Sequence, residues 1–396
     1  MLSTVFQLVL LAASNAAASP TFLGPPKAPA CHELTLRIPV TATNLRFNLP
    51  TVDSNLDAVR WGIEDSRRTN VNRTTGEIPI NQTFSIAAQL CVPSHGSKKS
   101  QIQILTHGQF ANRKYWDVQL QPEEYSYVEN ALAAGYSVLN YDRLSVGASE
   151  HPDAYTVAQT AVEVEILRSL NTMAHNGHLL SLVPDLAGST KFDKVINVGH
   201  SYGSIVTSGL LAQYGDLVDA AILTGFLPPA EAAALPAGAV LIANGRFAPE
   251  VDPVRWGTYA SGYIANADIY ALQTIFFSRR NDSDPAGFDN DLLEYAWNEV
   301  AAPITSGEWL SKSEIKQFPA PAFTGPILFL EGEHDLGACL ADCNGAFNAT
   351  RATEVYPNAK MIDYYVQPGA GHGLTLHRNA SAGYKAGFDW LSSQGF

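Results

Sequence analysis

The spacing of apolar positions changes period several times along the chain. "ELTLRIPVTATNLRF" (33–47) and "FSIAAQLCVP" (84–93) are rich in β-branched residues and bounded by proline and polar turns, which predicts two strands. From "QIQILTHG" (101–108) onward, short apolar runs alternate with segments of helical spacing. The further runs are "YSVLNYDR" (136–143), "KVINVGH" (194–200), "AAILTGF" (220–226), "PILFLEG" (326–332) and "MIDYYVQPG" (361–369), and helices are predicted over 123–134, 156–173, 204–215 and 381–392. Strands that alternate with helices imply an α/β fold with a mostly parallel central sheet and helices on both faces.

The alternation stops between about 227 and 325, where "LPPAEAAALPAG" and "FPAPAFTGP" bracket a helix-leaning stretch. An interruption there, just before the strand "PILFLEG", predicts a cap insertion over one end of the sheet. Its aromatics, Trp256, Tyr259, Tyr263, Tyr270 and Trp297, suggest apolar or aromatic parts in a bound molecule. The loop holding Cys339 and Cys343, after "PILFLEG", reads as poor in helix.

The first residues, "MLSTVFQLVLLAASNAAASP", carry an apolar run from Val5 to Ala13 and then small residues in an Ala-x-Ala pattern. That layout predicts a signal peptide over 1–18, a mature domain over 19–396 and an exported protein. The run is about half of what a bilayer span needs, and no later stretch reaches about twenty apolar residues, so no transmembrane segment is expected. Two features agree with export. Asn72, Asn81, Asn281, Asn348 and Asn379 each open an Asn-x-Ser/Thr acceptor sequence for glycosylation. The four cysteines are an even set suited to an oxidising compartment. Three pairings are possible. Cys31 with Cys91 and Cys339 with Cys343 is favoured, since each pair lies within one region of the chain. Zinc fits poorly, because neither Cys-x-x-Cys nor His-Glu-x-x-His occurs.

With 46% hydrophobic and 16% charged residues over 396 positions, the chain can bury a large core. Its net charge of −13 argues against nucleic acid or an anionic membrane as partner. The densest basic cluster, Lys98-Lys99, reads as a solvated loop. A phosphate-binding Gly-x-Gly-x-x-Gly or Walker loop is missing, so no nucleotide or metal cofactor is implied.

Chemistry concentrates where strands end. Gly199-His200-Ser201-Tyr202-Gly203 follows an apolar strand and precedes a helix, the setting of a nucleophile elbow, in which Gly199 and Gly203 let strand and helix approach closely. A serine hydroxyl needs a base, and the base needs a carboxylate to orient it. In "LFLEGEHD", Asp335 lies just beyond a strand, with Gly332 allowing the turn, and is favoured over Glu331 and Glu333. In "VQPGAGHGLTLH", His372 sits between Gly371 and Gly373 in the loop after the last strand. His200 is set aside because neighbours on an elbow point apart. His377 reads as the start of the last helix, and His334 as a loop residue. An oxyanion hole would take the backbone N–H of Tyr202 and a second from the loop after "QIQILT", where Gln109 is the expected donor and Phe110 the alternative. His107 reads as a brace for that loop.

These features, in this order, resemble the α/β-hydrolase superfamily across nearly the whole mature chain. "YDRLSVGAS" (141–149) is similar to the Asp-Arg-Gly-x-Gly-x-Ser loop of that superfamily, with Leu144 in place of the first glycine. "ATNLRFNLP", "AAQLCVP", "LTHG", "YDRLSVG" and "GHGLTLH" are similar to a group of secreted fungal α/β-hydrolases, mostly of unassigned activity. The resemblance implies the α/β-hydrolase fold and two-step acyl transfer: Ser201 attacks an acyl carbonyl, His372 moves the proton, and Asp335 holds the tautomer. A carboxylic ester of small size is the expected substrate. A lactonase, an acyltransferase or another tailoring hydrolase on the same three residues is the alternative, with a peptidase or a binding protein behind it.

Overall fold

The computed structural model describes residues 30–67, 73–93, 98, 100–183, 191–228, 243–278 and 287–396. The expected leader (1–18) and the acceptors Asn72 and Asn281 lie outside the described residues. Eight strands form one sheet: β1 (Ala30–Phe47), β2 (Thr74–Val92), β3 (Gln101–Thr106), β4 (Ser137–Tyr141), β5 (Lys194–His200), β6 (Ala220–Thr224), β10 (Pro326–Gly332) and β11 (Met361–Gln367), in the order β1-β2-β4-β3-β5-β6-β10-β11. The pairs from β4 to β11 are parallel, while β1 and β2 add an antiparallel edge. Alternate residues of the central strands feed two cores. Ile196, Val198 and Ile222 pack with the Tyr127–Ala133 and Ala380–Ser393 helices on one face. Val195, Ala221 and Leu223 pack with the Thr160–His175 and Tyr202–Tyr214 helices on the other.

Two helix boundaries differ from expectation for local reasons. The helix expected over 123–134 breaks at Ser126, whose backbone is extended and whose Oγ accepts from Glu129 N–H at 3.0 Å, capping a second helix. The helix expected from 156 starts at Thr160, because Asp153 Oδ1 accepts from the N–H of Tyr155 and Thr156 and turns the preceding segment into an Asx turn.

Between β6 and β10 the excursion contains more than helices. β7 (Gly245–Phe247), β8 (Tyr263–Asn266) and β9 (Ile304–Thr305) form a three-stranded antiparallel sheet. The four residues of β8 are all buried, so they offered no two-residue alternation to read. Trp256 and Tyr263 build a small core here with Ala248 and Ala265, and Arg255 lies between the rings of Trp256 and Trp297. Tyr270 is exposed. Apart from Tyr270, these aromatics therefore serve the excursion's own packing.

Cys31 pairs with Cys91 across β1 and β2, and Cys339 with Cys343 in the loop after β10. That loop also carries short helices at Leu336–Cys339 and Ala349–Val355. The first bridge closes a separation of 60 residues and the second one of 4. On loop-closure entropy alone, Cys31→Ala/Cys91→Ala will lower stability by about 4 kcal/mol and the Cys339→Ala/Cys343→Ala pair by about 2 kcal/mol. Urea unfolding of the two double variants checks this, and an equal loss in both would refute the ordering. Of the glycan acceptors described, Asn81 and Asn348 are exposed. Asn379 differs: its Nδ2, the atom a glycan would occupy, donates to Pro368 O at 2.6 Å.

Candidate active site

β5 ends in a turn that ordinary residues avoid. Ser201 has φ 53° and ψ −117°, a left-handed conformation that costs a non-glycine residue on the order of 1–3 kcal/mol. The turn is held by Ser201 N–H donating to Thr224 O at 2.8 Å and by Ser204 and Ile205 N–H donating back to Ser201 O. The flanking glycines are required by contact. A Cβ on Gly199 would stand 2.7 Å from Gly203 O and Ser204 Cα, and one on Gly203 would overlap Thr106 O. Tyr202 opens the following helix, so its N–H has no intrahelical acceptor.

The loop after β3 lies directly against this turn. A Cβ on Gly108 would be 3.0 Å from Ser201 Cβ. Phe110 adopts φ 57°, and the excursion clamps both sides of it: Ala302 N–H donates to Phe110 O and Asn112 N–H to Val300 O. Gln109 meets Lys312 of the excursion, whose Nζ donates to Gln109 Oε1 at 3.4 Å and lies over the Trp309 ring; burial pushes its amine down to about 7.

Asp335 is fully buried beyond β10, where Oδ1 accepts from Ala338 N–H and Oδ2 from His372 Nδ1–H at 2.6 Å. A carboxylate on Nδ1 leaves Nε2 of the neutral ring as the bare nitrogen. Gly332 has a different role from the turn expected of it. Its φ is not left-handed; instead a Cβ there would overlap Gly371 O, so the absent side chain lets the acid strand and the histidine loop touch. Gly371 and Gly373 answer the same demand on the far side, where Phe276–Ser278 of the excursion press on the loop and Gly373 N–H donates to Phe276 O at 2.7 Å. His377 does not begin the last helix, which starts at Ala380. Its buried Nε2 accepts from Gly371 and Ser278 N–H, tying the His372 loop to the excursion.

The rival acids stand apart from the histidine. Glu333 Oε2 accepts from Gly369 N–H. Glu331 Oε1 accepts from Phe226 N–H, and burial together with the neighbouring Asp335 charge pushes its carboxyl well above the usual range. Ser201 and His372 both border Thr224-Gly225: a Cβ on Gly225 would lie 3.0 Å from His372 Cε1. Among the described residues no hydrogen bond joins Ser201 Oγ to His372.

A family model described as the alpha/beta hydrolase family matches residues 103–382. The chain belongs to the alpha/beta hydrolase family. Among solved structures, a thermophilic esterase from Thermogutta terrifontis with malate bound is similar at a TM-score of 0.53 and 16% identity, covering 88% of this chain and all of that one. An esterase from Exiguobacterium antarcticum has a TM-score of 0.48 at 16% identity (78% of this chain, 95% of that one), and a monoacylglycerol lipase from Paleococcus ferrophilus 0.45 at 16% (79% and 99%). No curated protein sequence matches this chain.

The candidate residues of this hydrolase chain lie at the carboxyl edge of the sheet, yet several neighbours of the site were missed from sequence. His200 is buried with its ring 4.8 Å from that of His372 and stacked on Tyr115 at 4.4 Å. It lies beside the site even though its backbone neighbour Ser201 carries the turn. Its Nδ1 contacts Thr224 Oγ1, and burial, followed by the charge of His372, lowers its pKa well below the usual range. Phe276 lies 6.1 Å from the His372 ring, and Trp116 and Phe276 lie 6.3 and 6.4 Å from that of His200. In the "YDRLSVGAS" loop the left-handed positions fall on Ser145 and Gly147, so Leu144 is free to be buried in the core. Asp142 closes that loop by accepting from Arg113 and Ala148 N–H.

Proposed function

We propose that this hydrolase cleaves a carboxylic ester through an acyl-enzyme on Ser201. The observation that carries the reading is the left-handed turn at Ser201 beside the buried Asp335–His372 pair. A residue kept in a costly conformation next to an oriented imidazole is the arrangement nucleophilic acyl transfer needs. His372 Nε2 takes the Ser201 proton as Oγ attacks the acyl carbonyl, and Asp335 stabilises the imidazolium. The N–H groups of Gln109 and Tyr202 receive the developing oxyanion. His372 then protonates the leaving alkoxide, and water repeats the sequence to free the acid. Substrate binding draws Ser201 and His372 into hydrogen-bond contact. The excursion between β6 and β10 acts as the cap, since it clamps both the 108–112 loop and the His372 loop. The similar thermophilic esterase favours an ester over an amide. The expected leader, the acceptor asparagines and two disulfides favour an exported protein, and the motifs from "ATNLRFNLP" to "GHGLTLH" favour the secreted fungal group.

A panel of p-nitrophenyl esters of increasing chain length, with lactones and an aminoacyl anilide, tests the substrate class. Turnover of short and medium esters at least about a hundredfold faster than the anilide is expected, because alkoxides leave more readily than amines. Faster anilide turnover would replace the esterase reading with a peptidase, and turnover of lactones alone would replace it with a lactonase.

A further inference from the structure

We propose that Arg143 and His107 are positioning residues that join the two halves of the oxyanion hole into one unit; this rests on the reading of Ser201 as the nucleophile. The peptide between Gly108 and Gln109 supplies one oxyanion donor, the Gln109 N–H. Its carbonyl, Gly108 O, accepts two hydrogen bonds, from Arg143 Nη2 at 3.2 Å and from His107 Nδ1 at 3.0 Å. The direction of the second bond is fixed. His107 Nε2 accepts from the backbone N–H of Arg143 at 3.1 Å, so the ring proton sits on Nδ1 and is donated to Gly108 O. Burial and the Arg143 charge lower the His107 pKa well below the usual range, which keeps this tautomer neutral.

In a trans peptide the N–H points opposite to the C=O. With Gly108 O held toward Arg143 and His107, the Gln109 N–H faces the other way, and Gly108 itself stands against Ser201. Two donors on the carbonyl, one of them charged, polarise the peptide and strengthen its N–H as a donor.

The same guanidinium reaches the other half of the hole. Its Cζ lies 4.5 Å from the centre of the Tyr202 ring, and Tyr202 carries the second oxyanion N–H. Tyr202 is fixed at its far end, where its hydroxyl donates to Thr160 Oγ1 at 2.9 Å. Arg143 is completely buried and held by Glu163 through Nη1 and by Glu308 of the excursion through Nη2, each at 3.1 Å. A buried ion cluster of this kind is seldom more stabilising than apolar side chains of the same volume, so stability alone does not account for it. A guanidinium tied at once to Gly108 O, the Tyr202 ring and the excursion sets the spacing of both donors, and its charge lies one peptide from the developing oxyanion.

The test compares wild type with Arg143→Lys and His107→Phe, reading kcat and KM on a p-nitrophenyl ester, affinity for a trifluoromethyl ketone that mimics the tetrahedral oxyanion, and labelling by a fluorophosphonate. Both variants are expected to lose about ten- to a hundredfold in kcat and the same factor in ketone affinity, with KM within about twofold; this is part of the loss from deleting a whole donor. Far-UV circular dichroism selects folded variants, and if His107→Phe does not fold, His107→Asn takes its place. Unchanged kcat in a folded variant overturns the proposal. So does a fall in kcat without a matching fall in ketone affinity, because the residue then acts elsewhere. A wild-type protein left unlabelled at Ser201 overturns the nucleophile reading itself, whatever the variants do.

Discussion

Ser201→Ala will lose on the order of 10⁶ in kcat while KM and folding stay close to wild type. The hydroxyl is the attacking atom, and nothing else at the carboxyl edge replaces it. His200 is the nearest alternative nucleophile, but its ring is buried and stacked on Tyr115, and Nδ1 is engaged with Thr224. The turn makes a second substitution informative. At φ 53° glycine relieves strain that both serine and alanine bear, so Ser201→Gly will be as inactive as Ser201→Ala yet more stable than wild type by about 1 kcal/mol. Steady-state kinetics on a p-nitrophenyl ester and thermal unfolding read both effects. A Ser201→Ala protein that keeps more than about a thousandth of wild-type kcat would remove Ser201 from the mechanism, since binding and the oxyanion donors alone supply only about 10³–10⁴ over water.

How much of this was legible in the sequence depended on whether a feature rests on local pattern or on approach in space. The parallel sheet was legible because each strand is a short apolar run ended by a loop and followed by a helix of clear period, as in "KVINVGH" and the helix after it. The elbow was legible because Gly199 and Gly203 face immovable backbone. Gly332, Gly371 and Gly373 stood out too, but the reason was hidden: they admit neighbouring loops that come from β11 and from the excursion, at distances no local spacing encodes. The three-stranded sheet of the excursion was illegible because its strands are two to four residues long.

The charged cluster at Arg143 left one signal that went unused. Glu163 stands on the buried face of the Thr160–His175 helix beside Ile166, Leu167 and Leu170, and burial pushes its carboxyl up to about 8. An acid on a core-facing helical position demands a buried partner, and Arg143 is that partner. Glu308 could not be paired with Arg143 from sequence, since 165 residues separate them. His377 was misjudged for a similar reason: the register of the histidine loop against Phe276–Ser278, and not its place in the chain, sets its ring between the two.

Two buried acids stand on the strand and loop beneath His372, and they will respond oppositely to amidation. Asp335→Asn will lower kcat by about 10⁴. The amide can donate from Nδ2 to His372 Nδ1, which moves the ring proton to Nε2 and leaves no base facing Ser201. Glu331→Gln will leave kcat within about threefold, because burial and the Asp335 charge favour the neutral carboxyl and glutamine keeps the oxygen that accepts from Phe226 N–H. The same substitution alters the pH dependence of stability. With its folded pKa raised, Glu331 binds more protons in the folded state than in the unfolded chain, so the stability it contributes is present at acid pH and is lost as pH rises through and beyond the ordinary carboxylate range. Relative to wild type, Glu331→Gln will therefore gain thermal stability as pH rises above the ordinary carboxylate range, with little difference below it. Parallel stability curves for the two proteins would show that Glu331 is ionised in the folded state. A loss of activity in Glu331→Gln as deep as in Asp335→Asn would give the orienting role to the acid on β10 in place of the one beyond it.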